Sequence, residues 1–230
     1  MSWFIPQAGF LERLSNEEKM QLGQICPPRN FSKGHTVFRA GDSCGQLTVV
    51  LKGVLKLSRN TAQGKERIIH LAGPGDILGA EFLEDGAVHH ADAVCVSDEV
   101  VTCPIDREQF LQVSKRLPQV ALSLVGSLSA QLNHLQDQVE SASASVAERL
   151  ARSLLWLAHR FGEAEEEGWV QISATLRQED LAAMTASTRV TVTQTMGVLR
   201  DMGLVEGGRG AYRVKERELA AALEDLRFQI

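Results

Sequence analysis

Near the end of the chain, Arg189, Val190, Thr193, Gln194 and Gly197 are interleaved at helical spacing with Val192, Met196 and Leu199. At 3.6 residues per turn the two sets fall on different faces. Val192, Met196 and Leu199 form an apolar face that should pack inward. The other face offers a guanidinium, a hydroxyl, an amide and one branched aliphatic, with no apolar cluster to bury. Arginine can donate two hydrogen bonds to guanine, glutamine can pair with adenine, and valine can touch a thymine methyl. The chemistry expected of this face is the reading of base edges in a DNA major groove. Gly197 would let the helix approach a sugar-phosphate backbone closely. The helix N-terminus at Ser187 and Thr188 would present amides to a phosphate.

Such a helix needs a scaffold. Residues 178–184 predict a short helix, Thr185-Ala186-Ser187 a tight connection, and 188–202 the second helix, ended by Gly203. This is the spacing of a helix-turn-helix, although an ordinary amphipathic helix pair shares it. The next residues discriminate. Leu204-Val205-Glu206 and Ala211-Tyr212-Arg213-Val214 predict two strands joined by the turn Gly207-Gly208-Arg209-Gly210. A hairpin wing directly after the second helix makes a winged helix-turn-helix the more specific reading. The expected DNA-binding set is Gln178, Ser187, Thr188, Arg189, Val190, Thr193, Gln194, Gly197 and Arg209. Arg189 and Gln194 would read bases, Val190 and Thr193 would assist, and Gln178, Thr188 and Arg209 would position phosphates.

Upstream, Pro118 can open a helix. Val120, Leu124, Leu128, Leu132, Leu135 and Val139 then follow at spacings of three or four, and Gln131, Asn133, Gln136, Asp137 and Gln138 fill most of the other side. One helix of about 27 residues, about 40 Å long, fits this stretch. So narrow an apolar stripe suits a seam between two helices better than a domain core, and a homodimer joined along it is expected. The first turns could instead lie on the chain's own sheet. The small residues of 141–145 predict a hinge. A helix over 146–161 follows, with Leu150, Leu154, Leu157 and Ala158 on one face, and Gly162 stops it. An acidic loop at 163–167 and a strand at 169–173 come next.

Residues 1–115 predict short strands at 36–39, 47–51, 54–59, 67–71, 91–96 and 99–105, separated by glycine-centred turns. Many short strands at near-regular spacing suggest a sandwich or jelly roll. A helix over 16–24 precedes them, with Ser15 and Glu18 spaced for a capping box. The expected organisation is α+β: a jelly-roll domain over 1–115, a dimerisation helix and hinge over 116–145, and a winged helix-turn-helix domain over 146–230.

The formal net charge of the 230 residues is −5, which by itself argues against a nucleic-acid binder. The local distribution differs. Residues 187–215 hold five basic residues (Arg189, Arg200, Arg209, Arg213, Lys215) against two acidic ones (Asp201, Glu206). No apolar run approaches a membrane span, and no secretory signal is visible at the start. A cytoplasmic protein is therefore expected, and Cys26, Cys44, Cys95 and Cys103 read as reduced, buried thiols. No metal site is expected, since no cysteine–histidine pattern has zinc spacing and no H-x-H stands near a glutamate. No nucleophile–base pairing or phosphate-binding loop argues for an enzyme.

The chain resembles the Crp/Fnr (catabolite activator) family of bacterial transcription regulators over nearly its whole length. The resemblance rests on Lys33-Gly34, Ala40-Gly41-Asp42, Leu51-Lys52-Gly53, Gly73-Pro74-Gly75-Asp76-Ile77-Leu78-Gly79, the long helix and 187–193. It implies a cyclic-nucleotide-binding-like jelly roll, a dimer helix and a regulator that binds inverted-repeat DNA, with activation implied by family analogy. The loop at 163–167 lies where family activators contact RNA polymerase, although it reads equally as a solvated loop. The resemblance also places an effector pocket at Gly79, Ala80, Glu81, His90, Ala91 and Leu135. Members that bind cyclic AMP carry a Glu after the glycine motif and a downstream Arg-Ser pair on the cyclic phosphate. Ala80, His90 and Ala91 stand at those positions here, and His90 and its neighbour His89 read as a solvated loop pair. A cyclic phosphate needs a cation and donors, so cyclic AMP is not expected as the effector and no cofactor is implied. Two alternatives stay open: a regulator set by its own abundance, and a redox response through Cys44 with Cys95 or Cys103. The recognition helix departs too, with Val190 in place of an acidic residue and Gln194 in place of a second arginine.

Overall fold

The computed structural model describes residues 9–208 and 210–226. The chain divides into two compact units, one of residues up to 59 with 69–136, the other of 60–68 with 137 onward.

In the first unit, helix α1 (Asn16–Gln24) starts at the expected capping box. The Ser15 hydroxyl accepts from the Glu18 amide, and the Glu18 carboxylate accepts from the Ser15 amide. Eight strands follow: β1 (Arg29–Ser32), β2 (Thr36–Phe38), β3 (Gln46–Lys52), β4 (Leu55–Asn60), β5 (Glu66–Ala72), β6 (Ile77–Leu78), β7 (Asp92–Cys95) and β8 (Glu99–Asp106). They make two four-stranded sheets, in the orders β1-β8-β3-β6 and β2-β7-β4-β5. This is the jelly roll. Strands β1 and β6 were not expected. The first is mostly exposed and polar and is a strand only because it pairs along the edge of β8. The second is two residues long and pairs with β3.

Strands β3 and β8 are buried on both faces. Leu47, Val49, Cys103 and Ile105 point to a core shared with Leu22, Phe110, Val120 and Leu124. Val50 and Val100 point into a second core with Leu55, Ala72, Leu78, Ala93 and Cys95. Two-sided burial follows from the alternation of side chains along a strand.

Helix α2 (Arg107–Arg116) leads into α3 (Pro118–Glu140), which has 23 residues and so spans about 35 Å. It is shorter than expected. One 3-10 turn at Ser141–Ser143 replaces its last turn, and the Ser145 hydroxyl caps the next helix by accepting from the Glu148 amide. The apolar stripe also divides. Val120 and Leu124 are buried in the chain's own core, which removes them from a seam. Leu128, Leu132, Leu135 and Val139 stay exposed, Val139 by 75%.

The cysteines correct the reading of four reduced thiols. Cys26 and Cys103 are paired, with Cα atoms 5.3 Å apart, while Cys44 and Cys95 are free and buried. Cys44 and Cys95 belong to different cores, and Cys103 is taken by Cys26, so neither pair proposed for Cys44 forms.

The second unit holds α4 (Val146–Phe161), α5 (Gln178–Met184), α6 (Arg189–Asp201) and α7 (Glu216–Leu226). Its sheet has the order β11-β12-β10-β9, from β9 (Gly162–Ala164), β10 (Trp169–Ile172), β11 (Val205–Gly208) and β12 (Ala211–Lys215). Helix α7 was not expected. The acidic loop is corrected as well. Glu163 and Ala164 belong to β9 and pair with β10, and Glu165 is 3.3 Å from Arg213.

Gly53 has φ +77°, and a side chain there would begin 2.2 Å from the Glu99 carbonyl oxygen. Gly64 has φ +75° with open space around it. Both positions disfavour a Cβ on backbone grounds. Gly53→Ala should therefore cost about 1–3 kcal/mol in urea unfolding, and clearly more than Gly64→Ala. Equal losses would refute the close contact with Glu99.

Candidate nucleic-acid interface

Helix α6 sorts its residues as its periodicity requires. Val192, Met196 and Leu199 are fully buried, while Arg189, Val190, Thr193 and Gln194 are exposed, Val190 by 66%. Gly197 has no atom within 4 Å of where a side chain would begin, so the surface there is open to a backbone approaching from outside. Val198, also exposed, extends this face by one turn and was missed.

The polar groups are pre-bonded to one another. The Thr188 hydroxyl caps α6 by accepting from the Thr191 amide at 3.1 Å. The Thr193 hydroxyl lies 2.6 Å from Gln178 Oε1 and 2.8 Å from the Arg189 carbonyl, which ties the start of α5 to α6. One expectation is corrected here. The Ser187 amide donates to the Ala182 carbonyl at 3.0 Å, so it is not a spare donor for a phosphate. The wing forms as expected, with β11 and β12 antiparallel. Arg209, expected at its tip, lies outside the described residues.

The positive surface is smaller than the sequence suggests. Arg213 is held by Glu206 at 2.6 Å and Glu165 at 3.3 Å, with its guanidinium 4.8 Å from the centre of the Trp169 ring. Arg200 donates to the Gly207 carbonyl and so braces the wing. Arg189 sits 3.1 Å from Glu179. That pair is exposed and worth only about 0–1 kcal/mol, so Arg189 can exchange its partner for a base or phosphate at little cost.

The connection between α5 and α6 depends on two residues that sequence reasoning missed as determinants. Ala186 sits at φ +49° in the left-handed region, which disfavours a side chain. Arg149, on α4, donates from Nε to the Thr185 carbonyl at 2.9 Å and from Nη1 to the Ala142 and Ala144 carbonyls. One guanidinium thus ties the segment before α4 to the turn of the helix-turn-helix. Its signal in the sequence, an arginine one turn into a helix, is too common to single it out.

The residues assigned to an effector pocket differ in burial. Gly79 is buried at φ +73°, and Ala80 and Glu81 open a 3-10 turn (Ala80–Leu83). His90, at the arginine position, is exposed, Ala91 is buried and offers no hydroxyl, and Leu135 is exposed. His89 corrects the reading of a solvated pair. It is buried and stacks on Phe38, centroids 3.7 Å apart and planes within 9°, and burial pushes its pKa down. The polar contacts of α3 with the jelly roll come from its neighbours. Gln131 donates to the Ile77 carbonyl at 3.1 Å, and His134 meets His70 at 5.9 Å between ring centres. Burial, with His70 beside it, lowers the His134 pKa to about 4.

Comparison with known proteins finds two family models along the chain. Residues 28–116 match the family model of a cyclic nucleotide-binding domain, and residues 148–223 that of a Crp-like helix-turn-helix domain. The chain is 31% identical to the cyclic AMP receptor protein of Thermus thermophilus over 202 residues, covering 87% of this chain and 88% of that protein. It is 26% identical to the CRP-like cAMP-activated global transcriptional regulator of Mycobacterium tuberculosis over 209 residues, covering 89% and 91%. The fold is similar to that of the c-di-GMP responsive global regulator CLP of Xanthomonas campestris, with a TM-score of 0.75, 16% identity and coverage of 87% and 99%.

Glycine tolerates the left-handed region at no steric cost. Ala186→Gly should leave the melting temperature unchanged or raise it, while Ala186→Val should lower stability by more than about 1 kcal/mol. A valine variant as stable as the parent would show that the turn is not strained at this residue.

Proposed function

The chain belongs to the Crp/Fnr family of DNA-binding transcription regulators, and we propose that it works as a homodimer that reads an inverted-repeat promoter site and activates transcription. The observation that carries the reading is the bare face of α6. Arg189, Val190, Thr193 and Gln194 project from a helix whose opposite side is wholly buried, and a wing follows it. Leu128, Leu132, Leu135 and Val139, left exposed along one stripe of α3, support the dimer. A two-fold axis would set two such helices one turn of DNA apart. RNA polymerase is the partner that activation requires. Glu165 of the 163–167 segment pairs with Arg213, while Glu163, Glu166 and Glu167 are exposed.

Cyclic AMP does not suit the residues present. Ala80 and Ala91 lack the side-chain groups that would hold the nucleotide, and His90 is exposed. Cys44 forms neither pair of the redox alternative, and Cys26 is paired with Cys103 instead.

Selection of bound DNA from a random pool, followed by titration at several salt concentrations, tests the proposal. Arg189→Ala should weaken the selected site by about 1–3 kcal/mol and relax preference at one base pair of each half-site. Uniform loss across all DNA sequences would refute base reading by Arg189. Leu132→Glu should give a monomer by light scattering. A variant that remains dimeric would refute the seam on α3.

A further inference from the structure

Three residues from separate segments of the first unit converge beneath the glycine motif. Cys44 precedes β3, Glu81 lies in the 3-10 turn after Gly79, and His89 precedes β7. One ligand atom from each lies within 4.8 Å of the other two. Cys44 and His89 are buried, and Glu81 is half-buried.

The backbone holds this arrangement. The Gly41 amide donates to the His89 carbonyl at 2.8 Å, the His89 amide to the Asp42 carbonyl at 2.9 Å, and the Cys44 amide to the Ala87 carbonyl at 2.8 Å. These bonds lay 41–44 against 87–89 and set Cys44 and His89 in register. Stacking on Phe38 orients the His89 ring, and among the described residues neither of its nitrogens makes a hydrogen bond. Gly79 closes one side of the cluster. A side chain there would begin 3.1 Å from His89 Cε1 and 3.2 Å from Cys44 Sγ, so any other residue would crowd the cluster. Among the described residues no cation pairs with Glu81.

We propose that Cys44, Glu81 and His89 bind a divalent transition-metal ion of the zinc class, with the fourth position open to water or an exogenous ligand. The donor set decides the class. A thiolate and an imidazole exclude magnesium and calcium, which take oxygen ligands, and suit zinc or cobalt. Thiolate and carboxylate together supply the two negative charges that neutralise such an ion. At zinc–ligand lengths of about 2.0–2.3 Å, tetrahedral donors stand about 3.3–3.8 Å apart. A separation of 4.8 Å must therefore close by about 1.0–1.5 Å. Metal binding here stands independently of DNA reading by α6.

The test uses the full-length protein in reducing buffer. After loading with zinc or cobalt and exhaustive dialysis, the parent should retain one equivalent per chain. The cobalt form should show a thiolate-to-cobalt charge-transfer band and the strong visible bands of a tetrahedral ion. Cys44→Ser should lose the charge-transfer band, and Cys95→Ala should keep it. His89→Gln and Glu81→Gln should lower affinity in chelator competition by more than about 100-fold, beyond the loss typical of an outer-shell partner, with folding checked by circular dichroism. X-ray absorption of the parent zinc form should show one sulfur among nitrogen and oxygen neighbours, which keeps the test independent of whether any variant folds. A parent that retains no metal, cobalt bound without the thiolate band, or a zinc shell without sulfur would overturn the proposal.

Discussion

The antiparallel pairing of β3 with β8 is the constraint on which the first unit depends. Leu47 pairs with Ile105, Thr48 with Pro104 and Val49 with Cys103. This register sends alternate side chains into two different cores. One face seals the space between the two sheets, and the other seats α1, α2 and the first turns of α3. A slip of one residue would exchange the two faces everywhere. The glycine motif is fastened to the same strand, since the Gly75 amide donates to the Val50 carbonyl and the Val50 amide to the Asp76 carbonyl. The Gly79–Glu81 segment is therefore placed by β3 as much as by its own residues.

The second unit solves a different problem, which is to keep one side of a helix bare in water. Val192, Met196 and Leu199 bury enough to anchor α6 without help from its outer face. The outer polar groups then satisfy one another, through Thr188 with Thr191, Thr193 with Gln178, and Arg189 with Glu179. The contacts are weak enough to be exchanged for DNA, yet they hold the side chains near useful positions. Arg213, paired with Glu206 and Glu165, contributes less to the local positive charge than the sequence suggests. A smaller local positive charge predicts a lower non-specific affinity for DNA.

A family fold does not carry a family ligand with it. The jelly roll and its turn glycines are present, while Ala80, His90 and Ala91 stand at the positions that the resemblance assigns to the cyclic nucleotide. Beside Gly79 stands a cluster of a buried thiol, a buried imidazole and a half-buried carboxylate. The same glycine that closes the turn of the family motif makes room for it. Of the pocket residues named by resemblance, His90 is exposed, while its neighbour His89 is buried beside Gly79.

Local pattern was enough for much of this protein. The capping box at Ser15, the turn glycines, most strands of the jelly roll, the two helices around Ala186, the hairpin wing and the buried and bare faces of α6 all follow from spacings of two, three or four residues. Such features depend on neighbours along the chain, and periodicity records them. Tertiary structure alone decided what depends on distant partners. It made an edge strand of the polar segment Arg29–Ser32 by pairing it with β8, took Val120 and Leu124 into the core and left Leu128 to Val139 outside it. It also joined Cys26 to Cys103, neutralised Arg213, tied Arg149 to Thr185, and brought Cys44, Glu81 and His89 within 4.8 Å of one another. Most of those partners are tens of residues apart in the chain, and only the closing of the sheets and the packing of the helices brings them into reach.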